Sequence, residues 1–271
     1  GKSLFLCHHA ANCLVQNLNV LYITCEMAEE RIAERIDANI MDITIDELKS
    51  LPKQVYAKKL FNATRGVTGK LIIKEYPTAT AHVNNFRYLV NELKLKKKFI
   101  PDIIFIDYLN ICASARMKQG GSVNSYTYIK SIAEELRGLA VELGVPVFSA
   151  TQVNREGYNN TDFGLENTSE SFGLPATADF MFAIIATEDL DKRNQVMVKQ
   201  LKNRYNDLAS NRKFVIGINR AKMKLYNLDA SAQDGLTGTG EDEDVGSEGH
   251  DNKYTSKFSV RKFKKSEDWS N

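Results

Sequence analysis

Ile103-Ile104-Phe105-Ile106-Asp107-Tyr108 constrains the fold of this chain more than any other stretch. An unbroken apolar run rich in β-branched residues is what a strand buried on both faces requires. Such strands belong to parallel sheets covered by helices. The run ends on a carboxylate, at the edge where open α/β sheets bind ligands. An acid in that place either holds the Mg2+ of a bound nucleotide or sits solvated in a turn. The hexapeptide alone leaves both readings open.

The same plan recurs along the chain. Asn19 to Met27 reads as a second buried strand, ending at Glu26. Leu71 to Tyr76 reads as a third, and Val145 to Gln152 as a fourth, again closing on a polar residue. Helical patterns separate them. Ala28, Ile32, Ile36 and Ile40 recur at i+4 spacing, residues 44–70 are helical and charged, and Val83, Phe86, Val90 and Leu93 mark another helix. Tyr128 to Leu143 is strongly amphipathic and Gly144 stops it. Strands alternating with helices predict an α/β fold with a mostly parallel twisted sheet. Asp179 to Ile185 is expected to resume that sheet. Residues 195–200 and 213–218 are late antiparallel strands, 222–228 is a further strand candidate, and Lys202 to Asp207 is a basic turn between strands.

The strand ends carry the chemistry. Gly1-Lys2-Ser3 matches the close of G-x-x-x-x-G-K-[ST], where the Lys reaches phosphates and the Ser ligates Mg2+. A ragged chain start is the other reading. Glu26 either activates water or charges the start of the next helix. Gln152 is placed to sense a γ-phosphate, or is an ordinary loop amide. Arg116 and Lys118 lie in a polar, glycine-containing loop at 112–124, expected either to touch a phosphate backbone or to be simply mobile.

Composition narrows the remaining classes. A formal net charge of +2 gives no global case for nucleic acid, so any such site must be local. Cys7, Cys13, Cys25 and Cys112 form no C-x-x-C pair and read as reduced intracellular thiols. No apolar run approaches the ~20 residues of a membrane span, and no signal peptide is visible. The histidines have no zinc spacing. The chain opens without Met and is expected to be a fragment or processed product. From about Asp229 the sequence turns acidic and glycine-rich, then basic, which predicts a disordered tail over 229–271 after a core domain of 1–228.

Taken in order, these motifs resemble the motor domain of DnaB-family replicative helicases, in the branch of the T-even-type phages. The matching stretches are Tyr22-Ile23-Thr24-Cys25-Glu26-Met27, Ile106-Asp107-Tyr108-Leu109, Ala133-Glu134-Glu135-Leu136-Arg137, Ala150-Thr151-Gln152-Val153, Gly173 to Phe180 and Lys202-Asn203-Arg204-Tyr205. The resemblance implies a RecA-like P-loop ATPase core that forms a homo-hexameric ring around single-stranded DNA. It implies ATP or GTP as the nucleotide, with Gly1, Lys2, Ser3 and Asp107 on nucleotide and Mg2+. Glu26 would activate water and Gln152 would report the γ-phosphate state. Lys202 and Arg204 would reach the neighbouring subunit's nucleotide. DNA contact would fall to the loops at 112–124 and 153–173, including Arg116, Lys118, Ser169, Glu170, Ser171, Phe172 and Gly173. A primase and a helicase loader are the implied partners, in the cytoplasm of a phage-infected bacterium. A RecA-like recombinase and a non-replicative RecA-fold ATPase share the same core.

Overall fold

The computed structural model describes residues 1–118, 124–152, 173–206 and 212–233. Its parallel half is built as the apolar runs require. Strands β1 (Val20–Thr24), β2 (Leu71–Glu75), β3 (Ile103–Asp107) and β4 (Val147–Ser149) form one sheet in the order β2-β1-β3-β4. All three pairings are parallel, with Thr24 beside Asp107 and Ile106 beside Ser149. Every residue of β1 is buried, as a central strand covered on both faces must be.

Helices make the crossovers. α1 (Lys2–Val15) precedes β1, and α2 (Glu29–Met41), α3 (Ile45–Ser50) and α4 (Lys53–Ala63) lead to β2. α5 (Val83–Lys97) leads to β3, and α6 (Ser125–Leu143) leads to β4. Gly144 caps α6 at φ +63°, the left-handed conformation for which glycine carries no Cβ penalty. On one face of the sheet, α1 and α2 bury Leu6, Ala10, Leu14, Ile32 and Ile36 against Val20, Tyr22 and Phe105. On the other, α5 and α6 bury Phe86, Leu89, Ile132, Leu136 and Leu139 against Leu21, Ile23, Ile104 and Ile106. β1 lies between β2 and β3, while the chain visits β1, β2 and then β3. The connection from β1 runs outward to β2 and the next crosses back over β1 to β3, a reversal that opens a crevice at the carboxyl ends of β1 and β3.

The late strands depart from the expectation that 179–185 resumes the first sheet. After α7 (Gly173–Thr177), β5 (Phe180–Ile185) begins a second sheet, β5-β6-β7-β8, which is antiparallel throughout. β6 (Gln195–Asn203), β7 (Lys213–Asn219) and β8 (Lys224–Asn227) complete it, with α8 (Glu188–Lys192) between β5 and β6. Among the described residues no ladder joins β4 to β5; Phe148 and Phe182 meet there instead, with ring centroids 6.2 Å apart. α1 ties the two sheets together, because Leu4 and Phe5 pack on Val196, Val198 and Ile218. β6 also runs further than expected. Lys202 and Asn203 are its last residues, so the basic segment starts in a strand rather than in a turn.

Folded chain continues past the expected boundary at 228. A 3-10 turn spans Ala230–Ala232, and the Gln233 side chain bonds both backbone groups of Val215, at 2.8 and 2.7 Å. The rest of the expected tail lies outside the described residues.

Candidate active site

The crevice collects the strand-end residues. Asp107 is fully buried at the end of β3. Its Oδ2 accepts from the Tyr22 hydroxyl at 3.0 Å, and that hydroxyl in turn accepts from the Cys7 thiol of α1 at 3.8 Å. Burial pushes the Cys7 thiol up to about 12, and raises the Tyr22 phenol strongly, so both stay protonated donors at neutral pH. The other carboxylate oxygen of Asp107 is buried without a hydrogen-bond partner. An orphaned carboxylate oxygen costs about 1–3 kcal/mol or more, and such an atom needs a partner from outside the chain. A hard cation with oxygen ligands fits that need.

Gly1, Lys2 and Ser3 open α1 at the same crevice. Gly1 is the N-cap and the next two residues form the first turn. The Lys2 ammonium sits 4.6 Å from the centre of the Tyr108 ring. The Tyr108 hydroxyl accepts from Nε2 of Gln152 at 3.0 Å. Burial raises the Tyr108 phenol first, and the carboxylates of Glu26 and Asp107 add to it. One tyrosine therefore links Lys2, Gln152 and the field of both acids.

Backbone bonds hold the strand ends together. The Cys25 N–H donates to the Asp107 carbonyl at 2.8 Å, and the Leu109 N–H to the Ala150 carbonyl at 3.1 Å. The Thr151 hydroxyl bonds Oδ1 of Asn110 at 2.8 Å, steadying the residue before Gln152. Glu26 is exposed on a short turn after β1. Thr24 closes that turn by bonding the Met27 backbone twice, at 2.8 and 3.0 Å, and Thr78 holds the Cys25 carbonyl at 2.8 Å. The carboxylate is free to face a ligand while its backbone is fixed.

Lys202 and Arg204 belong to the second sheet and meet a different set of partners. Both reach the C-terminal end of α7, as two side chains separated by one residue in an extended segment can. The Lys202 ammonium donates to the carbonyls of Pro175 and Ala176 at 2.6 and 3.0 Å. Arg204 donates to the Ala176 carbonyl at 3.2 Å and pairs with Asp179 at 2.6 Å. Asp207, the one acid in the basic segment 202–207, lies outside the described residues.

The loop after β3 is anchored by α6. Ser114 and Ala115 donate to the Glu135 carboxylate at 2.6 and 2.8 Å, and Arg116 adds a backbone bond and an ion pair, both at 3.3 Å. Arg116 also pairs with Glu134 at 2.8 Å, so two carboxylates already engage its charge. Lys118 is exposed. Of the other expected DNA-binding residues, Gly173 is the first of α7, while Ser169, Glu170, Ser171 and Phe172 lie outside the described residues.

Burial alone would raise the Glu135 carboxyl, but bonds from Ser114, Ala115, Ser131 and Arg116 outweigh it and leave the pKa lowered. A lowered folded-state pKa stabilises above the ordinary carboxylate value of 4.5 and is lost as pH falls through the folded value. Glu135→Gln should therefore loosen the loop at neutral pH, at a cost of about 1–3 kcal/mol. Hydrogen exchange at the Ala115 and Arg116 amides, corrected for intrinsic rates, should show lost protection. Wild-type protection should fall on acidification and the variant's should not. Equal protection in both proteins would dismiss Glu135 as the anchor.

Sequence reasoning assigned no role to Tyr22, Tyr108, Arg137 or Asp179. All four stand inside the matching stretches, but only the fold shows what they touch.

A parallel sheet with Lys-Ser at a helix start, a buried acid at the end of its third strand and a second antiparallel sheet is similar in fold to RecA-like helicase ATPase domains. The chain belongs to the DnaB-like helicase C-terminal domain family, whose description matches residues 1–221. It is 46% identical over 232 residues to the DnaB-like replicative helicase of Enterobacteria phage T4, covering 84% of this chain and 49% of that protein. It is 29% identical over 163 residues to the replicative DNA helicase DnaB of Synechocystis, covering 60% of this chain and 18% of that one. The chain thus spans about half the length of its phage relative. The fold is similar to that of a solved ATPase domain, with a TM-score of 0.67 at 21% identity, covering 84% of this chain and 80% of that one. It is also similar to a DnaB-like replicative helicase solved for its interactions with primase, with a TM-score of 0.68 at 21% identity, covering 83% and 54% of the two chains. Among the described residues no helix is long and apolar enough to cross a membrane.

Proposed function

We propose that this chain is the nucleotide-hydrolysing motor of a replicative helicase that works as a homo-hexameric ring on single-stranded DNA in the cytoplasm. The observation that carries this reading is the meeting of Lys2, Asp107, Tyr108 and Gln152 at one crevice, with an unpartnered oxygen on the buried acid. Lys2 binds the phosphates of ATP or GTP, and Ser3 and Asp107 hold Mg2+. When bound, the cation neutralises phosphate charge and helps place the terminal phosphoryl group. Glu26 orients and deprotonates the attacking water. Gln152 bonds the γ-phosphate and gives up its bond to Tyr108 in doing so. Lys202 and Arg204 complete the adjacent subunit's site with positive charge. Arg116, Lys118 and residues 169–173 face the DNA. The motor takes in the folded chain through Gln233, and the segment after it docks a primase or loader.

The experiment is nucleotide hydrolysis by the full-length protein with and without single-stranded DNA. The expected result is Mg2+-dependent hydrolysis stimulated by DNA, with duplex unwinding. Hydrolysis indifferent to DNA would favour a RecA-fold ATPase outside replication, and strand exchange without unwinding would favour a recombinase.

A further inference from the structure

The short helix α7 ends on carbonyls that its own backbone does not bond, and side chains from two other elements meet there. Lys202 takes Pro175 and Ala176, Arg204 takes Ala176, and Arg137 of α6 takes Thr177 at 3.0 Å. Three cations thus converge on a single helix end. One carboxylate stands among them: Asp179, two residues beyond α7. Its Oδ2 pairs with Arg137 at 2.6 Å and its Oδ1 with Arg204 at 2.6 Å. Its carbonyl also accepts the Arg204 N–H at 2.8 Å. Leu174 is buried in the core cluster that contains Leu136 and Leu139, so α7 is moored to α6 by an apolar residue as well.

This arrangement fixes how Arg204 is presented. Like charges on Lys202, Arg204 and Arg137 would drive the three side chains apart without an intervening anion. The Ala176 carbonyl takes a hydrogen bond from one guanidinium nitrogen, and Asp179 faces the other as an ion pair without hydrogen-bond geometry, which among the described residues leaves donors of the planar fork unspent. The side chain of Arg204 is 38% exposed, so those donors have a route to solvent or to another chain.

We infer that Asp179, bridged to Arg137, is a positioning residue that holds Arg204 in the orientation with which it serves the neighbouring subunit. The inference rests on the reading of Arg204 as a residue acting in trans. Asp179 acts through Arg204, which it pairs with directly. Because the same cations sit on the last carbonyls of α7, a shift of α7 is transmitted directly to Lys202 and Arg204.

The test uses full-length hexamers carrying Asp179→Asn, Asp179→Glu, Arg204→Ala and the Asp179→Asn/Arg204→Ala pair. Misplacing a reacting group by ~1 Å costs on the order of 100-fold, so Asp179→Asn should lower kcat about 10- to 100-fold with little change in nucleotide KM. Asp179→Glu should recover part of that loss. The double variant should turn over no more slowly than Arg204→Ala alone, because the two residues act as one unit. In rings mixed with Glu26→Gln subunits, Asp179→Asn should regain activity, since intact Glu26 then faces an intact Arg204. Rings mixed from Asp179→Asn and Arg204→Ala subunits should stay slow. If Arg204→Ala is slow but Asp179→Asn is normal, or their losses multiply, the positioning role is wrong and the trans reading survives. If Arg204→Ala itself is normal, the trans reading fails and takes this inference with it.

Discussion

Arg204→Ala should lower hydrolysis by the assembled ring about 10³- to 10⁵-fold, the usual worth of an arginine supplied in trans to a P-loop site. The bland alternative has a definite size. Arg204 pairs with Asp179 on the protein surface, both side chains being 38% exposed, and exposed ion pairs contribute about 0–1 kcal/mol. A purely structural arginine would therefore shift the melting temperature slightly and leave turnover alone. The two readings differ by orders of magnitude in rate. Mixed rings sharpen the contrast. Arg204→Ala and Glu26→Gln subunits should each be nearly inactive alone, yet their mixture should recover activity at interfaces pairing an intact Glu26 with an intact Arg204. Normal hydrolysis by Arg204→Ala alone removes the trans role and the main residue-level argument for a ring.

The strands and the crevice were legible because burial writes a local pattern. β1 and β3 are apolar runs closed by polar residues, and a strand covered on both faces admits little else. Their in-register parallel pairing then brings Thr24 beside Asp107, which places Glu26 and Asp107 at one edge. Sheet membership was not legible. The run 180–185 has the composition of a buried strand, but among the described residues it pairs with β6 on one side and carries no ladder on the other. Periodicity reports that a strand is buried, not which strand it pairs with. The polar network was also hidden, because its members are far apart in the chain. Tyr22 and Asp107 are 85 residues apart, and Lys202 is 27 from Pro175. Asp179 and Arg137 stood inside stretches already matched to the family, yet their pairing depends on α6 running beside the start of β5. Arg116 shows the same kind of hidden contact. A cation in a polar loop reads as free for phosphate, while Glu134 and Glu135 already engage it from a helix some twenty residues on.

Glu26→Gln is the second large effect. In the full-length protein the variant should bind Mg2+-nucleotide and assemble normally, while turnover falls about 10²- to 10⁴-fold, the typical worth of a general base. The physical ground is the contrast between the two acids of the crevice. Asp107 is fully buried and keeps one oxygen unpartnered, the environment of a cation ligand. Glu26 is exposed on a turn whose backbone Thr24 and Thr78 hold in place, the environment of a group that must meet water and exchange a proton. Gln keeps the shape and the hydrogen bonding but cannot take the proton. Removal of the base should leave nucleotide affinity within a few-fold, whereas removal of the Asp107 carboxylate should weaken Mg2+-dependent binding itself. Equilibrium binding of a fluorescent nucleotide, set beside steady-state hydrolysis, separates the two outcomes. Hydrolysis by Glu26→Gln within a few-fold of the wild type would take Glu26 out of the chemistry and leave it as the acid at the start of α2.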